Sequence, residues 1–110
     1  QYYIEMQKSL EVIIKSLEME RERSTGSYKY KGIAEIGKDE IIFEIFVNQN
    51  IYVNKDNGEL GFISLMYPDI PGFNQNFKLR DFKIVKGADR YGETIANEFN
   101  RQYSEQLNSL

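Results

Sequence analysis

The chain has 110 residues, of which 41% are hydrophobic and 28% are charged, and its formal net charge is -3 at pH 7. This length suits one domain with a single core and excludes an enzyme built around a cleft between two domains. The sequence contains neither cysteine nor histidine, which excludes disulfides, thiolate metal sites and catalytic pairs with a histidine base.

The sequence gives no sign of a membrane span or a signal peptide. It has no apolar run of about 18 residues, and its first residues do not show a basic region followed by an apolar stretch. Together with the lack of cysteine, this predicts a cytoplasmic protein. Residue 1 is Gln rather than Met, so we interpret the chain as a fragment, a processed chain or a domain of a longer protein.

The N-terminal segment has the apolar spacing of a helix. Between residues 3 and 23 the apolar positions alternate steps of three and four, as in the a and d positions of a heptad. The pattern predicts an N-terminal amphipathic helix within residues 1–26, ending where Gly26 can form a C-cap. Its apolar stripe either packs on the protein's own sheet or forms an oligomer or partner interface. The residues of that stripe are Tyr3, Met6, Leu10, Ile13 and Leu17.

Five segments between residues 28 and 85 have the composition of strands, because they are rich in β-branched and aromatic residues and are divided by turn residues. Short turns such as Asn57-Gly58, which suits a two-residue type I′ turn, join antiparallel neighbours. The pattern therefore predicts a meandering antiparallel sheet of about five strands. The predicted strands are 28–36, 40–48, 51–55, 60–67 and 77–85.

The last predicted element is an amphipathic helix over about residues 90–107, with Asp89 as its N-cap. Its apolar residues, including Ile95, Phe99 and Tyr103, recur at steps of three and four. The predicted fold class is therefore α+β, with an N-terminal helix in residues 1–26 and a domain of sheet and C-terminal helix in residues 27–110.

No motif in the sequence indicates catalysis, a cofactor or a metal. The segment Asn54 to Glu59 is rich in oxygen ligands but lacks the spacing of a calcium loop, and it reads as a hairpin turn. The glycines are scattered singly, without the pattern of a phosphate-binding loop. We therefore expect a protein that is not an enzyme and that binds no cofactor.

Charge is segregated along the chain although its total is small. Residues 33–76 hold seven acids and two bases, whereas residues 77–90 hold five bases and two acids. Clusters of this kind make phosphate contacts in nucleic-acid-binding proteins. A charged face kept for solubility explains the same pattern, and both interpretations stay open. The bases of the second stretch are Lys78, Arg80, Lys83, Lys86 and Arg90.

The order of these parts resembles the SpoVG (stage V sporulation protein G) septation-regulator family over about residues 33–103. The likeness rests on Asp56-Asn57-Gly58, on the segment Gly61 to Pro68, on Arg80-Asp81, and on Arg90, Ile95 and Phe99 in the last helix. It implies a small bacterial α+β regulator, also carried by mobile elements, that forms a homodimer and binds nucleic acid. The positions that match the family's basic residues are Arg80, Arg90 and Arg101.

Two functions follow as hypotheses. In the first, the chain is a non-enzymatic, SpoVG-like regulatory module that contacts DNA or RNA through the basic strand and the entry to the last helix, as a homodimer. In the second, it is an acidic protein-protein interaction or inhibitor module from a phage or mobile element. The sequence pI of about 5.0 favours the second, and the basic stretch favours the first.

Overall fold

A computed structural model describes residues 11–22, 27–67 and 77–110 of the chain. The described residues form six strands and one α-helix, with short 3-10 turns at Ile63–Met66 and Leu79–Asp81. The elements are β1 (Val12–Glu22), β2 (Tyr28–Ile36), β3 (Asp39–Val47), β4 (Ile51–Val53), β5 (Leu60–Phe62), β6 (Phe82–Lys86) and α1 (Tyr91–Asn108). No helix within the described ranges is long and apolar enough to cross a membrane.

The strands form two antiparallel sheets. The larger has the order β1-β2-β3-β6, and β4 and β5 pair separately as a hairpin. The predicted five-stranded meander is therefore wrong after β3. The physical reason is that the hairpin leaves the sheet and packs beside α1, which frees the edge of β3 to pair with β6.

The predicted N-terminal helix is also wrong, because Val12–Glu22 is a strand that pairs with β2 along its whole length. Two extra residues, Lys15 and Glu20, have no partner on β2 and shift the register at each position. Such bulges interrupt the alternation of a strand. They leave apolar residues at uneven spacings that imitate a helix, while Val12, Ile13 and Ile14 are β-branched and favour a strand.

Strands β2 and β3 lie where strands 28–36 and 40–48 were predicted, to within one residue, and burial alternates along both. Their inner faces hold residues such as Tyr30, Ala34, Ile41 and Phe43, which are almost completely buried, and the intervening side chains face the other way. The ring of Phe43 lies directly over Gly32 on the neighbouring strand. Close backbone approach of this kind explains why a glycine occupies a strand interior.

The C-terminal helix is confirmed as α1, and it covers the inner face of the larger sheet. Phe99 contacts Phe43 and Phe82 in edge-to-face arrangements, with ring centroids 6.0 and 5.1 Å apart. Edge-to-face pairs of this kind add to the free energy of burying the rings. The predicted N-cap is wrong by one residue, because Arg90 occupies the N-cap position and makes no side-chain capping hydrogen bond.

The segment predicted as a strand over 60–67 divides into two parts. Leu60–Phe62 form β5 and are fully buried, and Ile63–Met66 then form a 3-10 turn. Helix α1 holds β5 by its side chains, since the Leu60 N–H donates to Oε1 of Gln102 and Nε2 of Gln106 donates to the Leu60 carbonyl, each over 2.7 Å.

The turn between β4 and β5 is confirmed, but its predicted type is wrong. A two-residue type I′ turn needs positive φ at both central residues, whereas only Gly58 has one, at 72°, and Asn57 does not. The loop is longer, because the Gly58 N–H donates to the Asn54 carbonyl over 2.8 Å. The amides of Asp56 and Glu59 donate to the side chains of Asn54 and Asn57, which is the local bonding that favours Asn in turns.

Candidate nucleic-acid interface

The basic stretch of the sequence becomes one edge of the larger sheet. Strand β6 is the last strand of the larger sheet, and among the described residues it pairs only with β3, so its other side is an edge of that sheet. We call the cations on β6 and its two flanking turns the basic edge. All five are exposed, and they are Lys78, Arg80, Lys83, Lys86 and Arg90.

The start of the basic edge is held by α1. Asn100 on the helix bonds both backbone groups of Phe77: the Phe77 N–H donates to Oδ1, and Nδ2 donates to the Phe77 carbonyl, each over 2.8 Å. The next residue is fixed by Asp81, whose carboxylate accepts the Lys78 N–H over 3.0 Å. These bonds determine where the backbone of Lys78 and Arg80 lies.

The register of β6 sets the direction of its two lysines. Lys83 lies opposite Glu44 and Lys86 opposite Ile42, and both of these partners belong to the outer side of β3, away from α1. The extra residue Val85 lies between the paired positions Ile84 and Lys86. Because of this bulge, Lys83 and Lys86 share one face although they are three residues apart in a strand.

Within the described ranges, no acidic side chain forms an ion pair with a cation of the basic edge. Among the described residues, none of its five cations lies within 4.0 Å of a carboxylate oxygen, whereas Lys15, Lys29 and Arg101 all form ion pairs. Lysines on an open edge also prevent other strands from pairing with it. The five cations, unpaired among the described residues, are therefore available to bind an anionic partner. They can also protect the edge from pairing with other strands.

Arg101, which was predicted as a nucleic-acid contact, differs from the cations of the basic edge because it forms ion pairs. Its guanidinium bonds Glu98 over 2.7 and 2.9 Å and Glu105 over 2.6 Å. Hydrogen bonding to Glu98 raises the pKa of the guanidinium further above its ordinary value. Two carboxylates around one guanidinium leave no net positive charge there, so the structure does not support Arg101 as a phosphate contact.

The lysines of β2 face the outer side of the sheet, where charges of both signs alternate. Lys29 bonds Glu44 over 3.0 Å and Glu20 over 3.3 Å. These bonds, first to Glu44 and then to Glu20, raise the pKa of the Lys29 ammonium. Across the sheet, Glu18, Lys31 and Glu44 follow one another in register. The outer face is therefore close to neutral, and the basic charge is confined to the edge.

Arg90 lies at the far end of the basic edge, where α1 begins. Its guanidinium lies over the ring of Tyr91, with 5.0 Å between Cζ and the ring centroid. The Tyr91 hydroxyl donates to Asp39 on β3 over 2.9 Å. Tyr91 thus connects the start of the helix to the sheet through its hydroxyl. Its ring also stabilises the position of the Arg90 side chain by a cation-π contact.

Of the residues predicted as an oligomer or partner interface, Ile13 and Leu17 lie within the described residues. Tyr3, Met6 and Leu10 lie outside the described residues. Ile13 and Leu17 are both on β1, but the bulge at Lys15 places them on opposite faces of the sheet: Ile13 is 46% exposed, whereas Leu17 packs against the core.

A pocket that sequence reasoning missed lies at the end of the sheet where β2 begins and β3 ends. We call it the turn pocket, and its volume is about 220 Å³. The turn Asn48-Gln49-Asn50 joins β3 to β4, and its run of three amides is the signal in the sequence that could have marked the pocket. The lining residues are Tyr28, Asn48, Gln49, Asn50, Ile63, Ser64 and Tyr67.

The turn pocket has a rigid floor. Gln49 is 8% exposed and Ser64 1%, and the Ser64 hydroxyl donates to Oε1 of Gln49 over 2.7 Å. The buried Tyr30 hydroxyl accepts the Ile51 N–H over 3.0 Å and lies 3.2 Å from the Gln49 carbonyl, to which it donates. The amide turn is thus bonded to the core at both ends. Within the described residues, no group of three or more acidic side chains is placed to hold a metal ion.

Comparisons with known proteins give no match to the chain among protein-family models, curated proteins or solved structures. The resemblance to the SpoVG family therefore stays a prediction.

Proposed function

We propose that the chain is a non-enzymatic regulatory module that contacts the phosphates of a nucleic acid through the basic edge. The observation that carries the proposal is that five exposed cations follow one sheet edge without an ion-pair partner among the described residues. Phosphate contacts of this kind give most of the affinity of sequence-independent binding. The module acts in the cytoplasm, as the absence of cysteine from the sequence predicts.

The geometry favours phosphates over other anions because the cations are spread along an edge. Lys78 and Arg80 precede β6, Lys83 and Lys86 lie on it, and Arg90 follows it. Strand residues rise about 3.3 Å each, so Lys83 and Lys86 on β6 are roughly 10 Å apart along the strand, and the other three cations lie in the segments that flank it. A compact anion would need them gathered at one point, whereas a polyanion can contact them in turn.

The test is a fluorescence anisotropy titration of labelled single-stranded and duplex DNA at several salt concentrations. The slope of log K against log salt is negative, and its magnitude grows with the number of phosphate contacts. The double variant Lys83→Gln/Lys86→Gln loses two contacts. The magnitude of the slope should therefore fall by about 1.4 for a single strand and about 1.8 for a duplex, at about 0.7 and 0.9 for each contact. Lys55→Gln is the matched control. It removes one positive charge, as each edge substitution does, but from the exposed loop between β4 and β5.

Arg101 is one of the positions that match the basic residues of the SpoVG family, but its guanidinium is held by Glu98 and Glu105. Arg101→Gln is therefore a second control. We expect it to leave the salt slope unchanged. The proposal fails if the wild-type chain binds neither DNA nor RNA at about 100 μM protein and low salt. It also fails if, for each charge removed, Lys55→Gln changes the salt slope as much as Lys83→Gln/Lys86→Gln does.

A second candidate function, protein-protein interaction, is favoured by the outer face of the larger sheet. Helix α1 covers the inner face. Ile13 on the outer face is 46% exposed, and Val85, the bulge residue of the edge strand β6, is 53% exposed. Ile33 and Ile42 lie opposite each other between them. Exposed apolar groups framed by charges are typical of interaction surfaces, and a second copy of the chain would give the predicted homodimer.

Analytical ultracentrifugation tests this candidate. If the outer face forms a homodimer, Ile13→Lys/Val85→Lys should shift the protein to the monomer at concentrations where the wild type is dimeric. Leu110→Lys changes a 73% exposed apolar residue at the end of the chain and should leave the dimer intact. A wild-type chain that is monomeric at about 100 μM protein would contradict the homodimer.

A further inference from the structure

The turn pocket has the chemistry of a site for a neutral, planar ligand. None of the seven lining side chains that the structure describes is charged, and such a lining favours a neutral ligand over an ion. Two tyrosines offer ring faces, and Tyr67 is 53% exposed. Three amides and one hydroxyl offer both hydrogen-bond donors and acceptors. Nucleobases have the same combination of an apolar face and a polar edge.

The pocket is also built to keep its shape. Because Oε1 of Gln49 accepts from Ser64, the nitrogen of that amide points away from Ser64. The Tyr30 hydroxyl lies 3.3 Å from Oδ1 of Asn50 as well as bonding the turn backbone. Groups held in this way lose little conformational entropy when a ligand binds.

The position of the pocket connects it to the basic edge. Val47 ends β3 beside the pocket, and two residues earlier Ile45 pairs with Phe82, the first residue of β6. The pocket and the Lys78–Arg80 end of the basic edge are therefore at the same end of the sheet. A chain that contacts the edge with its phosphates can reach the pocket with a base.

We infer that the turn pocket receives one unpaired base of a single-stranded nucleic acid, an inference that rests on the proposed function of the basic edge. A volume of about 220 Å³ is large enough for a single base. A base in a duplex must leave its stack to enter such a pocket, at a cost in free energy that an unpaired base does not carry. The module therefore prefers single strands to duplexes.

Anisotropy titrations with a single-stranded oligonucleotide and the matching duplex test the inference. Tyr67→Ala should weaken single-strand binding about 5- to 150-fold, the range found for removing one base-stacking contact, and leave duplex binding and both salt slopes unchanged. Tyr67→Phe keeps the ring and should retain affinity. Asn48→Ala removes an exposed pocket amide, and Asn97→Ala removes an exposed amide from α1 as its matched control.

The inference is overturned if Tyr67→Ala weakens single-strand and duplex binding equally or affects neither. A separate probe distinguishes its failure from that of the proposed function. In a 1H-15N NMR titration of the full chain with thymidine and with adenosine, amide shifts confined to residues 48–51 and 63–67 support the pocket even if no polymer binds. Shifts at those amides with glucose and not with either nucleoside would overturn it in favour of a sugar site.

Discussion

The side-chain amide of Asn100 on α1 bonds both the N–H and the carbonyl of Phe77, each over 2.8 Å. One side chain thus supplies to an irregular segment the pair of hydrogen bonds that a neighbouring strand would supply. Phe77 is also buried against Phe99. The relationship fixes the backbone immediately before Lys78, so the helix determines where the basic edge starts.

Replacing this amide tests that role. Asn100→Ala should lower the free energy of unfolding by about 1–3 kcal/mol, because two backbone groups lose their partner in a half-buried site. Urea denaturation measures the change. Asn97→Ala, on the exposed side of the same helix, should change it by less than about 0.5 kcal/mol. Equal effects of the two variants would contradict the assigned role.

The glycine beneath Phe43 gives a second prediction. A Cβ at position 32 would overlap the Phe43 ring, so Gly32→Ala should destabilise the fold by about 1–3 kcal/mol. In a Phe43→Leu background the smaller side chain leaves room, and Gly32→Ala should cost markedly less. A double-mutant cycle by thermal or urea unfolding measures the coupling. Additive effects would show that the ring does not set the requirement for glycine.

The Tyr30 hydroxyl gives a third prediction. Tyr30→Phe leaves the Ile51 N–H without its acceptor and should cost about 1–3 kcal/mol of stability. Tyr52→Phe alters a hydroxyl on a 44% exposed side chain and serves as the control. Chemical shifts of residues 48–51 should move in the first variant and not in the second. A Tyr30→Phe variant as stable as the wild type would contradict the hydroxyl's role in holding the turn.

The ion pair on α1 predicts a dependence on acid. Burial by itself would raise the pKa of Glu98, but hydrogen bonds from Arg101 and Gln102 outweigh it and lower the pKa below its ordinary value of 4.5. The stability that this carboxylate contributes is therefore fully present above about pH 4.5 and is lost as pH falls through the lowered pKa. Glu98→Gln should make the melting temperature less dependent on pH in this window.

Thermal melts between about pH 6 and pH 2 measure this effect. Glu93→Gln changes an exposed carboxylate in the first turn of the same helix and should leave the acid-induced loss as large as in the wild type. If Glu98→Gln and the wild type lose the same stability over that range, the Arg101 network does not couple stability to pH.

Local sequence patterns predicted the elements in which apolar residues recur at a regular spacing. In β2 the residues from Tyr28 to Ile36 alternate without interruption, and in α1 Ile95, Phe99 and Tyr103 keep helical spacing; both elements occur as predicted. In β1 the bulges at Lys15 and Glu20 break the alternation, so the same reasoning gave a helix. A bulge depends on the partner strand, and a local window does not contain that information.

The sequence by itself determined the turns, the alternating faces of β2 and β3, the amphipathic C-terminal helix and the clustering of bases between residues 77 and 90. Tertiary structure alone decided that this cluster lies on an open sheet edge, that Arg101 is held by Glu98 and Glu105, and that three turn amides line a pocket with Tyr28 and Tyr67. The physical reason is that periodicity and turn chemistry act between near neighbours. Strand pairing, ion pairing and pocket formation join residues tens of positions apart, so they follow from how the elements pack.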